Sequence, residues 1–220
     1  MLKELEAQLQ TLPGGSTKHD MEPGFAAMAE WVASLAGESR SKVLSELPKW
    51  FAEDHPWHSR AAMEIAVRLG DRTLLGAAVR EAERRGVQDF AANNGYPPWL
   101  IFHLDLLSTL SRWQGALGKE ASAYLEQLRS AAIDASDYPR RLLGIRAWFT
   151  QCLLQKTERQ TACLRQGMDL LRGWQDARLL RSGLSLLHAY FATTARGVAL
   201  LRDVLTPQEF ARACPEFAQS

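Results

Sequence analysis

The sequence contains little that would support covalent cross-links or a metal site. Its 220 residues include only three cysteines, Cys152, Cys163 and Cys214, and none of them belongs to a C-x-x-C pair. An odd number of cysteines without that spacing favours neither a disulfide framework nor a zinc site. We therefore expect three buried free thiols, as is typical of a protein in a reducing compartment such as the cytoplasm.

Long apolar runs are also missing. No stretch of about 18 uncharged apolar residues occurs, so no transmembrane helix is predicted. The N-terminal segment places Leu2, Leu5 and Leu9 at helical spacing among charged residues, unlike the continuous apolar core of a signal peptide. We expect a cytoplasmic protein that does not bind a membrane.

Motifs for catalysis and cofactor binding are absent from the sequence. It has no G-x-S-x-G, P-loop or G-x-G-x-x-G pattern. The segment EDHPWH brings His55 and His58 together with two acidic residues, but Pro56 breaks the helix that an H-E-x-x-H site needs. We predict no metal, no cofactor and no catalytic residue. An enzyme assembled from residues distant in sequence stays open as an alternative.

Strand signals are also lacking, whereas helical periodicity runs through almost the whole chain. No alternating apolar run flanks an Asn-Gly or Asp-Gly turn. Apolar residues instead recur three, four and seven positions apart. The sequence predicts an all-α chain of about ten helices in one domain spanning residues 1–220. The segment VQDFAANNGYPP gives a possible soft domain boundary near residues 87–98.

Several helix boundaries follow from local signals. Residues 13–24 are rich in Gly and Pro, which predicts a loop before the second helix. Pro48 is expected to kink a helix over residues 41–53. Gly86 is expected just past the end of a helix that finishes with two arginines. Helix starts are predicted at Asp71, Asp137, Thr157 and Thr206. The last two have the spacing of capping boxes, with Gln160 and Glu209 as the partners.

The segment from residue 43 to 70 resembles a HEAT repeat, a pair of antiparallel helices used in α-solenoids. The resemblance depends on the residues Leu44, Leu47, Pro48, Asp54, Arg60 and Ala62. It implies that the proline bends the first helix and that Asp54 and Arg60 link adjacent repeats. The expected architecture is a HEAT-like α-solenoid or an irregular helical array, and the resemblance covers only this one pair of helices.

The stretch LPKWFAEDHPWHSRAAM looks like a segment of the alkylpurine DNA glycosylases, which are built from HEAT-like repeats. That resemblance implies that Trp57 and Arg60 lie near a DNA backbone. The family also uses a Trp-rich stretch with an essential Asp upstream, and residues 1–42 contain no counterpart. Because an oxocarbenium-like transition state needs such a carboxylate, the catalytic role does not carry over.

Charge is distributed unevenly along the chain. Residues 138–202 hold eleven Lys and Arg against three acidic residues, a net charge of +8, although the whole chain has only +1. Guanidinium groups bind carboxylates and phosphates bidentately and stack on aromatic rings. Trp residues lie nearby, and Arg140 and Arg141 open the predicted helix that also carries Trp148. This combination suits an anionic partner and equally an ordinary salt-bridged surface.

Two functions follow as hypotheses. The first is a non-catalytic helical-repeat protein that binds another protein, for example an acidic one, as an adaptor or as an immunity-type inhibitor. The second is a nucleic-acid-binding protein related to the glycosylases. The candidate partner-binding residues are Trp57, Arg60, Arg140, Arg141, Arg165, Arg172, Arg178 and Arg181.

Overall fold

The computed structural model describes residues 2–11, 18–53, 55–87 and 98–217. Within these ranges the chain forms thirteen α-helices and one short 3-10 helix, and no β-strand occurs there. The prediction of an all-α chain is confirmed. In the same ranges, no helix combines the length and the apolar character that crossing a lipid bilayer requires.

Most of the helices are separated along the chain by seven residues or fewer. The first seven are α1 (Leu2–Thr11), α2 (Lys18–Ser34), α3 (Gly37–Glu46), α4 (Pro48–Ala52), α5 (Pro56–Leu69), α6 (Arg72–Arg85) and α7 (Pro98–Ser111). The others are α8 (Lys119–Ile133), α9 (Tyr138–Leu154), α10 (Thr157–Gly173), α11 (Ala177–Phe191), α12 (Ala195–Val204), α13 (Pro207–Ala213) and the 3-10 helix η1 (Pro215–Phe217).

The chain divides into two compact units. Unit 1 is Met1–Ala121 and unit 2 is Ser122–Ser220, so the division falls within α8. The soft boundary expected near residues 87–98 coincides mostly with residues 88–97, which lie outside the described part of the chain. That boundary and the single domain over residues 1–220 stay predictions.

Helix α5 forms the centre of unit 1. It contacts α2, α4, α6 and α7, so little of its surface faces solvent. Residues 61–66 are consecutively buried, and three of them are alanines, which allow the neighbouring helices to approach closely. A helix surrounded in this way loses the simple one-sided apolar pattern of a surface helix.

Helix α2 begins earlier than the sequence indicated. The predicted loop over residues 13–24 is wrong for residues 18–24, because α2 starts at Lys18 and contains Pro23. Phe25, Met28 and Val32 on this helix are buried, and α2 contacts α5. Packing of this apolar face outweighs the local cost of a proline and a glycine near the start of the helix.

Pro48 separates two helices where the sequence predicted a kink in one. Helix α3 ends at Glu46, and α4 begins at Pro48, which occupies its first turn. Proline has no N–H to donate to the carbonyl four residues earlier, and the first turn of a helix does not need that donor. Leu47 between the two helices keeps a helical conformation, and its N–H donates to the Val43 carbonyl at 3.2 Å, so no loop separates them.

The boundary between α5 and α6 agrees with its sequence signals. Gly70 ends α5 with a φ of 62°, in the left-handed region that glycine adopts without strain. The Asp71 carboxylate accepts a hydrogen bond from the Leu74 N–H at 2.9 Å, and Gly86 follows the last residue of α6. The predicted N-cap and the predicted end of α6 are confirmed.

In unit 2, helix α9 occupies the central position. It contacts α10 and α11, and these helices contact α12 and α13 respectively. Gly144 on α9 lies directly against α8, because a Cβ at this position would approach the Ala132 Cβ to 1.8 Å. Only glycine therefore permits this helix crossing.

The two predicted Thr caps have different outcomes. Thr206 forms the predicted capping box with Glu209, since each side chain accepts from the backbone N–H of the other residue. The helix start predicted at Thr157 is confirmed, since α10 begins there, but the capping box with Gln160 is wrong, because Lys156 is the N-cap and makes no side-chain cap bond. The Gln160 amide donates to the carbonyls of Leu153 and Gln155 in place of closing a capping box.

Two of the three cysteines form a disulfide. Cys152 on α9 is bonded to Cys163 on α10, with their Cα atoms 5.6 Å apart, and Cys214 is a buried free thiol. The prediction of three free thiols is therefore wrong for the first two. The expected cytoplasmic location depended on free thiols, so it loses that support and stays a prediction.

Candidate functional site

The eight candidate partner-binding residues fall into both units. Trp57 and Arg60 belong to α5 in unit 1, whereas the six other arginines belong to α9, α10 and α11 in unit 2. Four of those six lie near the N-termini of α9 and α11. The structure thus separates the candidate set into distinct environments.

An Asp N-cap fixes the first turn of α9. The Asp137 carboxylate accepts a hydrogen bond from the Arg140 N–H at 3.0 Å, which confirms the predicted start. Pro139 occupies the first turn, where its missing N–H costs no helical hydrogen bond. The side chains of Tyr138, Arg140 and Arg141 therefore leave the helix from its N-terminal end.

The turn between α10 and α11 is similarly defined. Gln175 has a φ of 53°, and Asp176 then caps α11 by accepting from the N–H groups of Arg178 and Leu179 at 2.8 and 3.3 Å. The Arg178 side chain also hydrogen bonds to Asp176, and this bond is the largest cause that holds the pKa of the Asp176 carboxyl below its usual value. The N-cap is therefore a carboxylate at neutral pH.

Arginine side chains stack on aromatic rings at these two helix ends. The Arg178 Cζ lies 5.0 Å from the centre of the Tyr138 ring, and the Tyr138 hydroxyl is 3.4 Å from the Ser182 hydroxyl. The Arg141 Cζ lies 5.3 Å from the centre of a Trp174 ring, and its Nε donates to the Ala135 carbonyl at 2.7 Å. We call this group the Arg–aromatic cluster; its members are Tyr138, Arg140, Arg141, Trp174, Arg178 and Arg181.

The cluster combines fixed and accessible groups. The Arg178 side chain is 76% exposed, whereas the Arg140 side chain is 34% exposed and forms an ion pair with Asp137. Arg181 is exposed one turn after Arg178 on α11. Tyr138 and Trp174 are half-buried. An arginine that rests on a ring keeps its charge at the surface while losing less conformational freedom on binding.

Sequence reasoning associated Arg140 and Arg141 with the wrong aromatic residue. Trp148, which shares α9 with them, is buried and donates its indole N–H to the Cys163 carbonyl at 2.9 Å. The cation above Trp148 is Arg129, with its Cζ 4.0 Å from the ring centre. The ring partner of Arg141 is Trp174, 33 positions away, and no local spacing rule indicates it.

Arg172 and Arg165 lie apart from the cluster on α10. Arg172 donates two hydrogen bonds to Glu209 of α13, at 3.0 and 2.7 Å, and a third to Asp169. The hydrogen bond from Arg172 is the largest cause that lowers the pKa of the Glu209 carboxyl. Arg165 forms an exposed ion pair with Asp203 at 3.2 Å. The role of these two arginines in partner binding stays a prediction.

Trp57 and Arg60 are partly buried in unit 1. The centres of the Trp57 and Phe25 rings are 6.2 Å apart, and the Arg60 Cζ lies 5.8 Å from the Trp57 ring. Arg60 forms an ion pair with Asp105 of α7, and both side chains are less than 20% exposed. No local sequence pattern indicates this pair, whose members are 45 positions apart. Asp54, expected to link repeats, lies outside the described residues.

The His-containing turn is organised by ring stacking. The rings of His55 and His58 are stacked with centres 4.3 Å apart, and His58 is also stacked on Trp50. Burial is the main cause that lowers the pKa of His55, and the neighbouring His58 adds to it. Among the described residues, no group of three or more His, Cys, Asp or Glu could hold a metal ion.

Comparisons with known proteins give no relative for this chain. No family model, no curated protein and no solved structure matches it. The arrangement of side chains is therefore the basis on which a function can be argued.

Proposed function

We propose that this chain is a non-catalytic protein-binding module that holds an acidic segment of another protein at the Arg–aromatic cluster, as an adaptor or an immunity-type inhibitor would. The observation that carries this proposal is the presence of four arginines, two of them exposed, and two half-buried rings at the N-terminal ends of α9 and α11. Guanidinium groups pair with carboxylates bidentately, and adjacent rings offer apolar contact to the rest of a peptide.

The helix arrangement supports a HEAT-like α-solenoid as the scaffold of this module. Within unit 1, α4 contacts both α5 and α6, and α5 contacts α7. Within unit 2, α9 contacts α10 and α11, and α10 contacts α12. Contacts between successive helices and between alternate helices are what stacked antiparallel pairs produce.

The charge balance around the two helix N-termini favours an acidic segment. Asp137 and Asp176 cap them, so part of each positive helix end is already neutralised. Four arginines against these two carboxylates leave the cluster with an excess of positive charge. A segment with several Asp or Glu residues would therefore complement the cluster, and a basic segment would be repelled.

A direct binding measurement tests the proposal. Fluorescence anisotropy with a labelled peptide of ten Glu residues and a central Trp should show saturable binding to the full chain. The double variant Arg178→Ala/Arg181→Ala should weaken binding about fivefold, since two exposed ion pairs of about 0.5 kcal/mol each contribute about 1 kcal/mol together. The matched control Arg196→Ala/Arg212→Ala removes two exposed charges from α12 and α13. An equal loss in both variants would refute a localised site.

Nucleic acid is the alternative partner, and the exposed arginines of unit 2 favour it. They include Arg159, Arg165, Arg178, Arg181 and Arg196. A labelled DNA duplex measured between about 50 and 200 mM salt distinguishes the two partners, because phosphate contacts release counterions and give a steep salt dependence. Tighter binding of duplex than of the acidic peptide at the higher salt concentration would replace the protein-binding proposal.

A further inference from the structure

Arg146 of α9 is a half-buried arginine whose charge has no partner among the residues that the structure describes. Its Nε is buried, and no hydrogen bond or ion pair joins the side chain to another described residue. A guanidinium group is not deprotonated in proteins, so the positive charge persists. Removing part of a charge from water without a counter-ion costs free energy, and an anion that pairs with the charge offsets that cost. Arg146 therefore favours an anion from outside the chain.

The position of Arg146 on α9 places it on the face toward α11. Residues four apart share a helix face, and Arg146 lies eight positions after Tyr138 and four before Thr150. Both of these neighbours reach α11. The Tyr138 hydroxyl is 3.4 Å from the Ser182 hydroxyl, and the Thr150 hydroxyl is 3.4 Å from the Tyr190 hydroxyl. We call the line formed by these five residues the α9–α11 seam.

The two helices of this seam contain no acidic side chain that could pair with Arg146. Helix α9 contacts α11, and the sequences of both helices lack aspartate and glutamate while holding five arginines. The carboxylates of Asp137 and Asp176, which cap these helices, form ion pairs with Arg140 and Arg178. The seam therefore presents an uncompensated positive charge.

The α9–α11 seam begins at the Arg–aromatic cluster. Tyr138 belongs to both, and Arg178 lies over its ring. The eight positions from Tyr138 to Arg146 correspond to about 12 Å along the helix, at about 1.5 Å per residue. An extended peptide advances about 3.3 Å per residue, so about four of its residues cover this distance.

We infer that Arg146 binds a second carboxylate of the acidic segment that the Arg–aromatic cluster holds, and that the segment lies extended along the α9–α11 seam. The partner is then recognised by acidic residues about four positions apart, in addition to its net charge. This inference rests on the proposed function and specifies which acidic sequences the cluster selects.

Three capped hexapeptides of identical composition test the spacing. Glu-Glu-Ser-Ser-Ser-Glu and its reverse, Glu-Ser-Ser-Ser-Glu-Glu, have carboxylates four positions apart, whereas Glu-Glu-Glu-Ser-Ser-Ser has none more than two apart. In NMR titrations of the full chain, one of the two spaced peptides should bind about tenfold more tightly than the contiguous one. That ratio corresponds to about 1.4 kcal/mol, close to the value of one hydrogen bond to a charged group. The spaced peptide that binds more tightly also gives the direction of the segment.

The Nε–H resonance of Arg146 provides a direct readout of the contact. It should shift saturably with the spaced peptide and remain in place with the contiguous one. Arg146→Gln should bind all three peptides with the affinity that the wild-type chain has for the contiguous peptide. Arg146→Lys keeps the charge but not the planar fork of donors, so it should retain part of the preference. The matched control Arg196→Gln removes an exposed arginine from α12 and should retain all of it.

Urea unfolding separates this role from a structural one. Because Arg146 has no partner within the described chain, Arg146→Gln should not lower the unfolding midpoint, and a lower midpoint would overturn the inference. Equal affinity of the wild-type chain for all three peptides would overturn it too, as would an unchanged preference in Arg146→Gln. If Arg178→Ala/Arg181→Ala still weakened binding in either of these cases, the proposed function would stand without this inference. If none of the peptides bound saturably, both would be refuted.

Discussion

Reducing the disulfide between Cys152 and Cys163 should destabilise unit 2 by an amount that the structure allows us to calculate. The bond closes a loop over a sequence separation of 11 residues. In the chain-entropy model, a loop of that length removes about 3 kcal/mol of conformational entropy from the unfolded state. That is a large fraction of the total stability of a typical domain, which is about 5–15 kcal/mol.

Urea unfolding followed by far-UV circular dichroism measures this effect. With an m value of about 2 kcal/mol per M, the midpoint should fall by about 1.5 M when a reductant is present. Thiol counting in denaturant provides an independent check, because the oxidised chain should expose only Cys214 and the reduced chain all three cysteines. The double variant Cys152→Ala/Cys163→Ala should be insensitive to reductant.

Two results would refute this reasoning. Three reactive thiols before reduction would mean that the bond does not form in solution. If the bond is present but its reduction shifts the urea midpoint by less than about 0.3 M, the unfolded state is already compact around this turn, so that closing the loop costs little entropy.

Three further predictions concern single side chains of unit 2, and urea unfolding tests each. Gly144→Ala should destabilise by about 1–3 kcal/mol through the clash with Ala132, and Ala132→Gly in the same chain should restore part of the loss. Thr206→Ala should cost about 1 kcal/mol by removing the capping box, with Thr206→Ser retaining most of the stability. The pKa of Glu209 is lowered in the folded state. The stability that its carboxylate contributes is therefore complete above about pH 4.5 and disappears as the pH falls through the folded-state pKa, and Glu209→Gln should abolish that pH dependence.

Features determined within a few residues were predictable from the sequence. The N-caps at Asp71, Asp137 and Thr206 each depend on a side chain and on backbone N–H groups at most three positions away. The capping box predicted between Thr157 and Gln160 used the same rule and is wrong, because Gln160 finds acceptors at the end of the preceding helix. A backbone carbonyl at the end of the preceding helix lies close enough to bind the Gln160 amide. The sequence pattern of a capping box takes no account of that competing partner.

The contacts of the candidate site were not predictable in this way. Arg60 and Asp105 are 45 positions apart, and Arg172 and Glu209 are 37 positions apart. Each pair forms only because particular helices become neighbours, and helical periodicity determines which face is apolar but not which helix covers it. The disulfide is different, since Cys152 and Cys163 flank a tight turn between successive helices, and their closeness along the chain was an available signal.

The fold also changes what the uneven charge means. The sequence segment over residues 138–202 has a net charge of +8, but unit 2 as a whole has thirteen Lys and Arg against nine Asp and Glu, a net charge of +4. Asp203 and Glu209 lie beyond this segment in the sequence, but in the folded chain they form ion pairs with Arg165 and Arg172. Long-range electrostatic attraction of an acidic partner is therefore weaker than the net charge of the segment indicates. Recognition of an acidic partner must depend on the short-range geometry of the Arg–aromatic cluster, and so neutralising Arg178 should matter more than neutralising an equally exposed arginine that has no ring beneath it.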